Sequence, residues 1–148
     1  MNCRQAKSFV KVQELPNYDK KVAHHILFLD FLIFKEKSSV RAELVNGIAG
    51  SGKMKAQDSE GIAHTYRIKA VHYFNDKRAP IETFYEHPLF RSAEVFSQDG
   101  SLTQSPQLMQ QGSLSIRFQE DPARQKIELY SVTPQKGAVK IYSLLVKR

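Results

Sequence analysis

An all-β fold, an antiparallel β-sandwich of about eight strands with a barrel as the alternative, is predicted by three features of the sequence. Apolar and polar residues alternate with period two in most of the apolar stretches. Those stretches are rich in Val, Ile, Tyr, Phe and Thr, and Gly, Pro, Asn and Asp punctuate them at intervals of roughly 8–12 residues. No segment sustains the 3.6-residue period of a helix over three turns.

Ser8–Leu15 reads as a short first strand ended by Pro16-Asn17, preceded by a flexible segment, residues 1–7. His25–Lys35 follows, apolar on both faces. Val40, Ala42 and Leu44 alternate with Arg41 and Glu43, so Val40–Ile48 is a one-sided strand. The glycines that follow read as a turn between Val40–Val45 and Lys53–Ala56, with a polar loop at Gln57–Gly61. Thr65–Phe74 alternates most cleanly, and Asn75-Asp76-Lys77-Arg78 supplies turn chemistry before Ile81–Glu86, which makes Thr65–Glu86 a hairpin. Pro80 suits the start of the return strand, where no ladder donor is needed. His87-Pro88-Leu89-Phe90 breaks the pattern, and Ala93–Phe96 is one more short strand. Residues 97–112, rich in Ser, Gln and Gly, read as a long loop. Ser113–Gln119, Lys126–Val132 and Ala138–Val146 complete the set, separated by turns at Glu120–Arg124 and Thr133–Gly137. The cadence of short strands, with His87-Pro88-Leu89 after the hairpin and Gly112-Ser113-Leu114-Ser115-Ile116-Arg117-Phe118 before the last pair, is similar to that of immunoglobulin-type sandwiches. That resemblance implies an architecture and assigns no function.

A chain of 148 residues without internal repeats or linkers is expected to form one domain, residues 1–148. Its composition, 41% hydrophobic and 25% charged, is that of a folded protein. Cys3 is the lone cysteine, so no intramolecular disulfide and no cysteine-based metal site can form. Ile26–Phe34 is the longest apolar run, but it is nine residues and contains Asp30, well short of the roughly 20 a membrane helix needs. The chain as given reads as soluble, and as cytoplasmic unless a signal was removed ahead of residue 1.

Gly47-Ile-Ala-Gly-Ser-Gly-Lys53-Met54 matches the phosphate-loop pattern G-x-x-x-x-G-K, with Met54 where a Mg²⁺-binding hydroxyl belongs. A phosphate loop also requires a helix behind it, and the residues that follow carry no helical period. No nucleotide is therefore expected, nor any other cofactor. His24 and His25 are adjacent and point to opposite faces of a strand, while His64 and His72 lie about 26 Å apart at strand rise, so no metal site is expected. Glu82, Glu86 and Glu94 form no recognisable acid–base pair, and no triad or nucleophile elbow is visible, so nothing argues for an enzyme.

Two readings of function remain. In the first, the chain is a non-catalytic module acting by protein–protein contact or as a homodimer. Ile26, Phe28, Leu32 and Phe34 then form the interface, because a strand apolar on both faces needs a second cover, to be supplied by the loop 97–112, by the N-terminal segment or by another chain. In the second, it binds a polyanion such as single-stranded nucleic acid. The net charge of +7 and the outward positions of Arg41, Lys53, Lys55, Arg67 and Lys69 on three consecutive strands favour that reading, provided those strands are neighbours.

Overall fold

Leu27, Leu29, Phe31 and Ile33 alternate with Ile26, Phe28, Asp30, Leu32 and Phe34, and the extended backbone sends the two sets to opposite faces of one long strand. In the computed structural model, which describes residues 9–55, 65–96 and 102–148, this strand is β2 (His25–Glu36), the centre of a three-stranded sheet. Its neighbours are β3 (Ser39–Ser51) and β8 (Gln111–Gln119), both antiparallel to it. A five-stranded sheet faces it in the order β1 (Phe9–Lys11), β10 (Gly137–Lys147), β9 (Arg124–Thr133), β4 (Arg67–Phe74), β5 (Ile81–Glu86). β6 (Phe90–Phe96) and β7 (Leu102–Leu108) pair separately as an antiparallel hairpin. Both larger sheets keep free edges, so the fold is a β-sandwich and not a closed barrel. The described residues contain ten strands, eight of them in the two main sheets, and no α-helix.

The core lies between the sheets. Leu27, Leu29, Phe31 and Ile33 from β2, with Leu114, Ile116 and Phe118 from β8, meet Ile68 and Ala70 of β4, Ile127 and Leu129 of β9 and Leu144 and Val146 of β10. Phe31 sets its ring edge-on to Tyr142 at 5.7 Å, a favoured geometry for the aromatic quadrupoles. Burial of each large side chain contributes about 1.5–3 kcal/mol relative to exposure.

The glycine stretch departs from the sequence expectation. It is no turn: Gly47, Ile48, Ala49 and Gly50 are strand residues of β3, paired with Leu29, Phe28, Leu27 and Ile26. A bulge explains how. Asp30 pairs with Asn46 and Phe31 with Leu44, leaving Val45 as the extra residue, 58% exposed. One inserted residue shifts the period by one, so Ala42 before it and Ala49 after it both reach the core. The glycines serve close approach. A Cβ at Gly47 would stand 3.1 Å from Leu15 Cδ2, and one at Gly50 would stand 3.2 Å from the Phe28 ring.

Other boundaries move as well. The first strand covers only Phe9–Lys11, parallel to β10, and gives way to a 3₁₀ turn at Val12–Glu14. The expected loop 97–112 is in part strand, because Leu102–Leu108 pairs with β6 and β8 begins at Gln111. Its Ser and Gln residues alternate too weakly in hydropathy to mark a strand. Arg124, expected in a turn, opens β9. The expected flexible segment 1–7 with Cys3, the loop Gln57–Gly61 and His64 lie outside the described residues.

Gly112 admits the closest approach of all. A Cβ there would meet Pro88 Cβ at 2.7 Å and the Pro88 carbonyl oxygen at 2.8 Å, so a backbone segment would have to move. Gly112→Ala is expected to lower the unfolding free energy by about 1–3 kcal/mol in a denaturant titration. Gly50→Ala, which meets only a movable ring, should cost less, and equal losses would contradict the close approach of Pro88 to β8.

Candidate functional site

The outward face of β2 carries Ile26, Phe28, Asp30, Leu32 and Phe34, each only partly buried. The four apolar ones are absent from the hydrophobics that pack on the core among the described residues, whereas the alternate set is 0–1% exposed. The stripe runs about 26 Å along the strand. On the β3 side Ile26 pairs with Gly50, Phe28 with Ile48, Leu32 with Glu43 and Phe34 with Arg41. On the β8 side Phe28 pairs with Arg117 and Leu32 with Ser113. Asp30 accepts a 2.7 Å hydrogen bond from the Ser115 hydroxyl, which satisfies the one carboxylate in the stripe. The result is an apolar band with a polar rim, and Arg41 and Arg117 stand on opposite sides of it.

The five cations proposed from the sequence are not brought together. Arg41 is on β3, and Lys53 and Lys55 follow that strand. Arg67 and Lys69 are on β4, which lies between β9 and β5 in the other sheet. The expectation of three neighbouring strands fails because the chain passes from one sheet to the other between β3 and β4. Arg67 lies over the Phe84 ring at 4.3 Å; Lys69 lies over Tyr130 at 4.8 Å, with a Glu82 oxygen at 3.9 Å.

The outer face of the five-stranded sheet is organised around Glu128, a residue buried despite facing outward. It accepts a hydrogen bond from the Tyr130 hydroxyl at 3.2 Å and an ion pair from Lys140 at 3.3 Å, with Lys126 at 3.9 Å. Burial pushes its carboxyl up, but the hydrogen bonds from Tyr73, Lys140 and Tyr130 and the charge of Lys126 outweigh burial and hold it below its ordinary value. Tyr73 is pushed up in turn by its hydrogen bond to Glu128. Lys126 also stacks on Tyr73 at 4.7 Å. The cations of this face are thus engaged by carboxylates and aromatic rings, an arrangement the alternation of β9 did not disclose.

Arg124 is 9% exposed at one end of the sandwich. Its Nε donates to His72 Nδ1 at 3.1 Å, its Nη1 donates to the Gln119 carbonyl at 2.7 Å, and its plane covers Phe118 at 4.3 Å. Burial lowers the guanidinium to about 10. Burial, with the nearby Arg124 charge, lowers His72 to about 3, so His72 is neutral and accepts at Nδ1. Lys55, Arg117 and Arg124 line a cavity of about 250 Å³ there. Arg78 closes the same end, donating to both Asp121 oxygens at 2.6 and 3.1 Å and holding that carboxyl down to about 2.

His87 is fully buried, and burial lowers it to about 4. His25 is also buried, stacked on Tyr18 at 4.2 Å with Nε2 2.6 Å from the Asp19 carbonyl oxygen, while His24 is exposed. No group of three His, Cys, Asp or Glu among the described residues is placed to hold a metal ion. No helix of the described residues is long and apolar enough to cross a membrane.

The fold defines a class, the two-sheet β-sandwich. No protein-family model, curated protein or solved structure matches the chain.

The buried histidines set a pH dependence. His72 and His87 have folded values depressed below the unfolded 6.5, so these two contribute stability that is complete above pH 6.5 and declines as pH falls toward the folded values. Between pH 6.5 and 5, above the range where carboxylates protonate, unfolding free energy is expected to fall by up to about 1.4 kcal/mol per pH unit for each histidine. Denaturant titrations across that window check this. His72→Gln should flatten the profile, and a flat profile in the unsubstituted protein would contradict the burial of both neutral rings.

Proposed function

We propose that the protein is a non-catalytic β-sandwich module that works by contact with another protein through the outward face of β2. One observation carries this reading. Ile26, Phe28, Leu32 and Phe34 stand in a row on the middle strand of a sheet whose core-facing requirement is already met by Leu27, Leu29, Phe31 and Ile33. Large apolar side chains in that position lower solubility without serving the core, and a partner surface removes the cost. The polar rim, with Arg41 and Arg117, favours an apolar partner surface edged by acidic groups. The likeness to immunoglobulin-type sandwiches supports the architecture of such a module and names no partner.

A second reading, polyanion binding, is favoured by a narrower observation than five cations on one face. Lys55, Arg117 and Arg124 converge on one small cavity, with Lys53 two residues from Lys55. It predicts retention on heparin or a single-stranded oligonucleotide at low salt, lost steeply as salt rises and weakened by Lys55→Glu. Absence of retention at low salt would remove it.

The protein-contact reading is checked by a photo-crosslinking amino acid placed at position 28 or 32 and activated in native cells. A discrete cross-linked species is expected from both positions, whether with a second copy or with another protein. Ser143, on the outer face of the opposite sheet, should give none. Leu32→Glu should abolish cross-linking from position 28 while the thermal midpoint moves by only a few degrees, since the side chain is partly exposed and outside the core. No product from either position, together with a monomer in sedimentation at high concentration, would refute the reading.

A further inference from the structure

At the end of the sandwich away from Arg124, the β2–β3 and β9–β10 turns frame a cavity of about 440 Å³. Lys35, Arg41, Lys136 and Lys140 line it, with no carboxylate among the described lining residues. Their existing partners leave capacity. Lys136 Nζ donates to the Ser38 carbonyl at 2.7 Å and keeps two further hydrogens, and Arg41 has only a 4.0 Å contact with Glu36 in which both side chains are about 60% exposed. Lys140 alone is shared closely, with Glu128. Val40, Val139 and Ile141 give the cavity apolar walls.

The innermost polar group is Ser131, 5% exposed and on the core side of β9. His87 fixes its role. The Leu89 backbone N–H donates to His87 Nδ1 at 3.2 Å, so in the neutral ring the hydrogen sits on Nε2. Nε2 lies 2.9 Å from Ser131 Oγ and therefore donates to it. A hydroxyl that accepts from His87 retains its own hydrogen for another acceptor, and Ser131 lines the cavity. The buried pair thus presents a donor, not an acceptor, beneath a ring of cations.

We propose that this cavity binds a small organic anion, an acidic headgroup held by Ser131 and the surrounding lysines with a short apolar body against Val40, Val139 and Ile141. The volume falls within the range of small-molecule sites, and the division into apolar walls and a few convergent donors is what such a ligand requires. Headgroups with acceptor oxygens only, carboxylate or phosphate, suit a site where four cationic side chains and the Ser131 hydroxyl converge. A neutral alcohol forfeits the ion pairing, and inorganic phosphate forfeits the walls.

The test is a ¹⁵N-resolved NMR titration of the full chain with hexanoate and with hexyl phosphate, using hexanol and inorganic phosphate as controls. Saturable shifts confined to the Lys35–Arg41 and Ser131–Ile141 segments are expected with at least one of the two anions, and the tighter of them identifies the headgroup. Both controls should bind at least about tenfold more weakly. Ser131→Ala should lower affinity by about tenfold. Lys136→Gln, an exposed change that leaves the core untouched, should lower it several-fold. Absence of saturation with both anions, hexanol binding as tightly as hexanoate, or affinity unchanged in Lys136→Gln and Arg41→Gln would each overturn the proposal.

Discussion

The register of β2 is the constraint on which the rest of the molecule depends. Leu27, Leu29, Phe31 and Ile33 must all face the five-stranded sheet at once, and a slip of one residue would replace them with Ile26, Phe28, Asp30 and Leu32. The replacement set is nearly as apolar, so hydrophobicity alone discriminates weakly between the two registers. Asp30 breaks the tie, since inward it would be an unpaired buried carboxylate and outward it meets Ser115. The bulge at Val45 then fits β3 to the chosen register, and the glycines at 47 and 50 let Leu15 and Phe28 lie against its two faces. One acidic residue and one inserted residue thereby fix which apolar stripe becomes core and which becomes surface.

The ends of the sandwich follow from how the strands terminate. Core strands that stop at the same level leave polar backbone and side chains at the rim, and each must be satisfied in place. At one rim Arg124 is enclosed by His72, the Gln119 carbonyl and Phe118, and no carboxylate of the described residues forms an ion pair with it. At the other, Ser131 satisfies His87 Nε2 beneath the lysines of the β2–β3 and β9–β10 turns. Both arrangements place a hydrogen-bond donor under a positively charged opening, by different residues.

The fold class was legible because period-two alternation reports directly on which side of a sheet each residue faces. Ile81–Glu86 falls where the alternation and Pro80 put it, and Thr65–Glu86 is the hairpin its turn residues predicted. The glycine stretch was misread because local composition describes what a backbone can adopt, while the choice of strand over turn came from a cross-strand partner, β2. The cationic patch was misread for a similar reason. Adjacency of strands in space is set by the crossover between sheets, which no local pattern encodes. His87 gave no signal beyond its neighbour Pro88. Its importance lies in a contact with Ser131, 44 residues away. The outward stripe of β2 was visible in the sequence, since apolar character on both faces of one strand needs no knowledge of its neighbours.

Net charge is therefore a poor guide to where this molecule meets an anion. Of its cations, Arg67, Lys69 and Lys126 already lie on aromatic rings, and Lys126 and Lys140 surround Glu128. A cation engaged in this way offers an incoming phosphate or carboxylate only what exceeds the interaction it gives up. The flat face of the five-stranded sheet carries many positive residues and little unspent potential. The rims carry fewer, but there Lys136, Arg117 and Lys55 are held by a backbone carbonyl at most among the described residues, next to concave surface that excludes part of the solvent and so weakens screening. The same reasoning separates the two kinds of contact. On the proposals made above, the apolar face with its sparse rim of arginines would meet a protein surface, and the cation-lined hollow an anion. The two proposed sites meet at Arg41, where the face of the three-stranded sheet passes into the end of the sandwich.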